Sequence, residues 1–111
     1  EHLTSITNIK KNVLSALKDI KAFDIVSIDI RKQSFIADYI IIASANSSKQ
    51  AKALADNIKD KMQKINIPLI GIEGESGSEW VLVDLGDIII HIMTPTSRVH
   101  FNLEELWVSD T

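Results

Sequence analysis

Apolar residues recur at intervals of three and four through Ile6, Ile9, Val13, Ala16, Leu17 and Ile20. That spacing lines up one face of a helix, with Thr4 or Ser5 available as its cap. The pattern then changes to alternation. In Ile25–Ile30, Val26, Ile28 and Ile30 fall on one side, and Ser27 and Asp29 on the other, as in a strand. Arg31–Ser34 is polar and turn-like. Tyr39–Ala43 is apolar at every position, which predicts a central strand covered on both faces. Asn46, Ser47 and Ser48 offer caps for a second helix, whose stripe runs through Ala51, Leu54, Ala55, Ile58, Met62 and Ile65. Pro68 stops it, and Leu69–Ile72 predicts the next strand. Strand, helix and strand in that order make a βαβ unit with parallel strands and a right-handed crossover.

Gly71 to Gly77 carries three glycines and reads as a loop. Val81–Val83 and Ile88–Met93 flank Asp84-Leu85-Gly86-Asp87, the mark of a hairpin. Thr94–Ser97, with Pro95, breaks the sheet. Phe101, Leu103, Leu106 and Trp107 are spaced for a short terminal helix or turn docked by its apolar side. The expected order is α-β-β-α-β-β-β-α: a single α/β domain over residues 1–111, built on a mixed five-stranded sheet flanked by helices.

Length and composition fit that picture. The 111 residues suit one domain, and 45% apolar with 24% charged residues is ordinary for a globular protein. No cysteine occurs, so disulfides, thiolate zinc sites and a thiol nucleophile are excluded. No apolar run reaches membrane-spanning length and no signal-peptide pattern opens the chain, so the expected location is the cytoplasm, or an organelle if a transit segment has been trimmed away. Charge is unevenly placed. Residues 1–65 hold 11 Lys/Arg against 7 Asp/Glu, whereas residues 66–111 hold only Arg98 against 8 acids. The second part suits a basic partner and repels a phosphate backbone. The lysines of the first part alternate with acids and no aromatic residues interleave with them, so no direct nucleic-acid contact is expected.

Tests for chemistry return little. The three histidines, His2, His91 and His100, lack metal-site spacing, and His91 reads as a semi-buried strand residue. Neither a nucleophile elbow nor a phosphate-binding glycine loop is present. Gly77-Ser78 followed by Asp84 and Asp87 is similar to the Gly-Ser and Asp-x-Asp pair of nucleotidyltransferases. Two acids three residues apart, however, fall on opposite faces or at two ends of a turn, and no third acid stands at strand spacing. Neither a catalytic set, a cofactor nor a metal is therefore expected. Trp80 and Trp107, both in the acidic part, are either core or aromatic anchors inside a negative rim.

The segment Trp80-Val-Leu-Val-Asp84-Leu85-Gly86-Asp87-Ile-Ile-Ile-His91-Ile-Met93 resembles the signature strand pair of the ribosomal silencing factor family (RsfS, also called Iojap). Asp38-Tyr39-Ile40-Ile41-Ile42 resembles the family's earlier strand, and Gly71-Ile72-Glu73-Gly74 its glycine loop. Arg98 and Leu103-Glu104-Glu105-Leu106-Trp107 resemble its C-terminal end, so the likeness runs from about Ile6 to Trp107. The resemblance implies a nucleotidyltransferase-like fold without catalytic acids. It also implies binding to the fourteenth large-subunit ribosomal protein (L14), blocking subunit joining and lowering translation when nutrients are short. It further implies a homodimer when free. The contact residues it implies are Trp80, Asp84, Leu85, Gly86, Asp87, Leu103, Glu104 and Trp107. Phe101 stands where the family usually has tyrosine, which removes a hydroxyl while keeping the ring. The alternatives are a metal-dependent nucleotidyltransferase and a homodimeric assembly scaffold.

Overall fold

The computed structural model describes residues 6–33, 35, 37–74 and 77–103. The expected cap at Thr4 or Ser5, and Leu106 with the rest of the C-terminal end, lie outside these residues. The elements are α1 (Ile6–Asp19), β1 (Phe23–Asp29), β2 (Tyr39–Ser44), α2 (Ser48–Lys64), β3 (Gly71–Glu73), β4 (Trp80–Asp84), β5 (Ile88–Met93) and α3 (Pro95–Phe101). They form one five-stranded sheet in the order β1-β2-β5-β4-β3, a mixed α/β arrangement in the element order the periodicities predict.

Helix α2 starts where it does because Ser47 caps it. The Ser47 hydroxyl accepts from the Gln50 amide at 3.1 Å, while the Gln50 side-chain oxygen accepts from the Asn46 amide at 2.6 Å. The other end of that carboxamide donates to the Ile20 carbonyl at 2.7 Å, just beyond the last turn of α1. Asn57 donates to Ala16 O at 2.9 Å. Two amide side chains thus join the helices through backbone oxygens that a helix end leaves without intrahelical donors. Val13, Ala16, Leu17, Leu54, Ala55 and Ile58 then bury against Ile41, Val81, Val83, Ile90 and Ile92 of one sheet face.

The opposite face has a smaller cluster of Ile30, Ala37, Ile40, Ile42 and Met93. Ile28, Trp80, Ile89 and Leu103 pack against it, partly buried. Strand β2 is buried on both faces, whereas β5 is fully buried on the helix face and half-buried at Ile89 and His91 on the other.

Three local expectations differ from what forms. The strand expected at Leu69–Ile72 is shifted to Gly71–Glu73. It runs parallel to β2, as the βαβ pattern requires, but it is an edge strand. The parallel neighbour of β2 is β5, with Tyr39 opposite Ile88 and Ser44 opposite Met93. The isoleucine-rich β5 takes the central slot because it buries Ile88, Ile90 and Ile92 fully against the helices, and the three-residue, partly exposed β3 goes to the rim. Pro95 opens a helix rather than merely breaking the sheet. Thr94 is the N-cap, accepting from the Ser97 amide at 3.4 Å, and Pro95 sits in the first turn, where its missing N–H costs nothing. In β1 the chain enters at Phe23, with an irregular register before Val26 and a left-handed Asp24 (φ 50°).

The central sheet carries the stability. Ile90→Ala is expected to cost about 2–5 kcal/mol, read as a lower urea midpoint with an unchanged slope. A loss below about 1 kcal/mol would contradict the burial of β5 against the helix layer.

Candidate docking site on the β4–β5 hairpin

The hairpin positions the sequence-predicted residues at its two ends. At the turn, the Leu85 amide donates to the Ile88 carbonyl at 3.0 Å, and the Asp84 carboxylate accepts from the Gly86 amide at 2.8 Å. Gly86 adopts φ +89°, where a side chain is strained, and a Cβ would meet Ile70 at 3.1 Å. The Asp87 carbonyl accepts from both the Asp38 and Tyr39 amides, at 2.8 and 3.1 Å, so the turn is pinned to the start of β2. Asp84 thus shapes its own turn. Among the described residues no three His, Asp or Glu side chains gather as a metal site.

Trp80 starts β4, four residues from Asp84, so the strand separates them by roughly 13 Å. The indole N–H donates to Nδ1 of His91 at 3.0 Å, and the rings lie 5.7 Å apart. The bond requires the neutral histidine with its proton on Nε2. Burial enforces that state, holding the His91 pKa down to about 4. The indole also meets the Phe101 ring, 4.6 Å between centroids and tilted by 47°. His100 meets Phe101 edge-on at 4.8 Å. Leu103 joins the same sheet face as Trp80. The structure therefore brings Trp80 and Leu103 to one cluster and sets Asp84, Leu85, Gly86 and Asp87 apart from it. Glu104 and Trp107 lie outside the described residues.

Two recesses flank the indole. One, of 400 Å³, is lined by Ser78, Glu79, Trp80, Thr96, Ser97, His100 and Phe101. The other, of 260 Å³, is lined by Glu73, Gly74, Trp80 and Leu82. Glu79 is fixed: its carboxylate accepts from the Thr94 hydroxyl at 2.9 Å, and its carbonyl accepts from the Thr94 amide at 3.0 Å. Neither Glu79 nor the stacking of Phe101 was signalled by the sequence, because residue 101 meets residue 80 only through the sheet-to-α3 fold.

A third recess, of 610 Å³, borders Asp24, Ser44 and Arg98. There the Arg98 guanidinium donates to the Asp24 carbonyl at 2.5 Å and the Ser44 hydroxyl at 2.7 Å, tying α3 to β1 and β2. At the other end of the sheet, Tyr39 lies beneath Lys10 (4.5 Å) and Arg31 (5.3 Å). Asp29, gripped by the Arg31 guanidinium and its amide, has its pKa lowered to about 2.

These features define a small α/β domain, with the two long helices on one sheet face and a pinned aromatic cluster on the other. The whole-chain comparisons make the class specific. The family model described as "Ribosomal silencing factor during starvation" matches residues 4–111. The ribosomal silencing factor RsfS of Chromobacterium violaceum is 38% identical over 102 residues, spanning 92% of this chain and 84% of that protein. A crystal structure of a C. violaceum protein, 38% identical, superposes with a TM-score of 0.91 over 97% of this chain and 90% of that one. A mouse protein named "Mitochondrial assembly of ribosomal large subunit protein 1" is 30% identical over 86% of this chain and 43% of its own length. The chain belongs to the ribosomal silencing factor family, RsfS/Iojap.

The His91 environment has a testable pH signature. Its folded pKa lies below the ordinary value, so the unfolded chain takes up a proton that the folded one refuses. The stability from neutral His91 is complete above about pH 6.5 and is lost as the pH falls to about 4, on the order of 3 kcal/mol in all. Urea midpoints should fall across that window in the parent. They should fall less in His91→Gln, which keeps an acceptor for the indole. Identical slopes in the two proteins would contradict the assignment.

Proposed function

We propose that this chain is a non-catalytic silencing factor. It docks on the large ribosomal subunit through the fourteenth large-subunit protein and blocks the joining of the small subunit, lowering translation when nutrients are short. The observation that carries this reading is the immobilised Trp80. Its N–H is satisfied inside the protein, and its ring is braced by Phe101 while remaining at the surface. An aromatic side chain ordered before binding loses little freedom on docking, which favours an anchor. Family membership supports the ribosome as the target, and the name of the mouse relative supports the large subunit.

The contact set consists of two patches. Trp80 and Leu103 form the apolar one, and the sequence offers Trp107 as a further aromatic contact. Asp84, Leu85, Gly86 and Asp87 form the turn patch, and Glu104 adds a further acid. The acidic balance beyond residue 65 favours a basic protein over RNA and steers the encounter. Blocking by occupancy requires no bond-making residues. The fold is read as nucleotidyltransferase-like with its acids absent, a reading that the self-capping Asp84 favours.

Trp80→Ala is expected to weaken binding to purified large subunits by about 10-fold or more, or about 1.4 kcal/mol. Unchanged affinity in a folded variant would remove Trp80 as the anchor. Converting Asp84, Asp87 and Glu104 to amides is expected to slow association and flatten its salt dependence. A salt-independent on-rate in the parent would contradict the steering.

A further inference from the structure

We propose that the 400 Å³ cleft beside the stacked Trp80 and Phe101 rings is a subsite for one basic side chain, lysine or arginine, of the docking partner. The proposal rests on the reading of the chain as a protein that docks on the large subunit, and it names Glu79 and Phe101 as the residues that select the occupant.

The walls of the cleft supply two kinds of contact at once. The Trp80 and Phe101 rings give an aromatic corner, and Phe101 leaves 49% of its surface open. Glu79 gives a fixed carboxylate, bonded to Thr94 through both side chain and backbone. An anionic occupant would be repelled by Glu79. A purely apolar occupant would take water from that carboxylate and return nothing, which is costly. A lysine or arginine meets both demands. Its aliphatic stem covers the apolar wall, its charge lies over the ring faces, and its head pairs with Glu79. The tertiary structure also gives the site a sign. Helices α1 and α2 carry eight lysines against three aspartates on the other side of the sheet. The second recess beside the indole adds Glu73 to the same negative side.

The full-length chain and purified large subunits test this directly. Glu79→Gln keeps an oxygen for Thr94 and removes the charge. Phe101→Leu keeps apolar bulk and removes the π face, whereas Phe101→Tyr retains that face. Glu79→Gln and Phe101→Leu should each weaken binding by about five-fold or more. Phe101→Tyr, and the helix-layer control Asp60→Asn, should stay within about two-fold. A second readout uses the free protein, with the Trp80 indole N–H resonance distinguished from that of Trp107 by Trp107→Phe. Titration with N-acetyl-argininamide should shift it in a Glu79-dependent manner, and N-acetyl-leucinamide should leave it in place.

Parent-like binding by Glu79→Gln, or equal shifts with the two amides, would overturn the subsite. If the parent chain were not retained on large subunits, the docking reading would fail. The amide titration would still decide the chemistry of the cleft.

Discussion

An indole N–H withdrawn from water must find an acceptor, and here the acceptor is an imidazole kept neutral by its own burial. The Trp80–His91 bond spans adjacent strands of the β4–β5 hairpin, on the face away from the long helices. It sets the orientation of the largest side chain on that face, and Phe101 then closes over it from α3. The chain of dependence is short. The burial of Ile90 and Ile92 against the helices holds the strand that carries His91, His91 fixes Trp80, and Trp80 with α3 defines the cleft beside it. A surface ordered in this way can recognise a partner without rearranging, which preserves binding energy that ordering would otherwise consume.

The same sheet separates two chemistries. One face is sealed by α1 and α2, which present lysine-rich outer surfaces. The other carries Trp80, Leu82 and Leu103 among glutamates and aspartates. Because strand residues alternate, a shift of one position in β4 would move Trp80 into the helix-packed core and bring Val81 and Val83 out. Register is therefore as important to the site as residue identity. The Asp84–Gly86 turn and the grip of Asp38 and Tyr39 on the Asp87 carbonyl set that register.

Much of the architecture was legible in the sequence because its signals are local. The helical stripes of α1 and α2, the uninterrupted apolar run of β2 and the glycine-centred hairpin each depend on residues within one element. Pro95 ends the sheet as its position suggests, and it also starts a helix, because Thr94 before it supplies the cap. Strand order was not legible, since the competition between β5 and β3 for the central slot is settled by burial across the whole sheet. The site was half legible. Trp80 and the turn stood out by residue type, and His91 was read correctly as a semi-buried strand residue. The neighbours that give Trp80 its meaning, Glu79 held by Thr94 and the Phe101 ring, meet it only through tertiary folding. Glu104 and Trp107 belong to the part of the chain outside the described residues.

The central claim is that occupancy of a docking surface, without chemistry, keeps ribosomal subunits apart. Light scattering of purified large and small subunits, mixed with and without saturating protein, tests it most directly. The account predicts a joining signal that falls in proportion to the large subunits occupied, with no nucleotide or metal required. Joining at the same rate and extent when every large subunit carries the protein would contradict it.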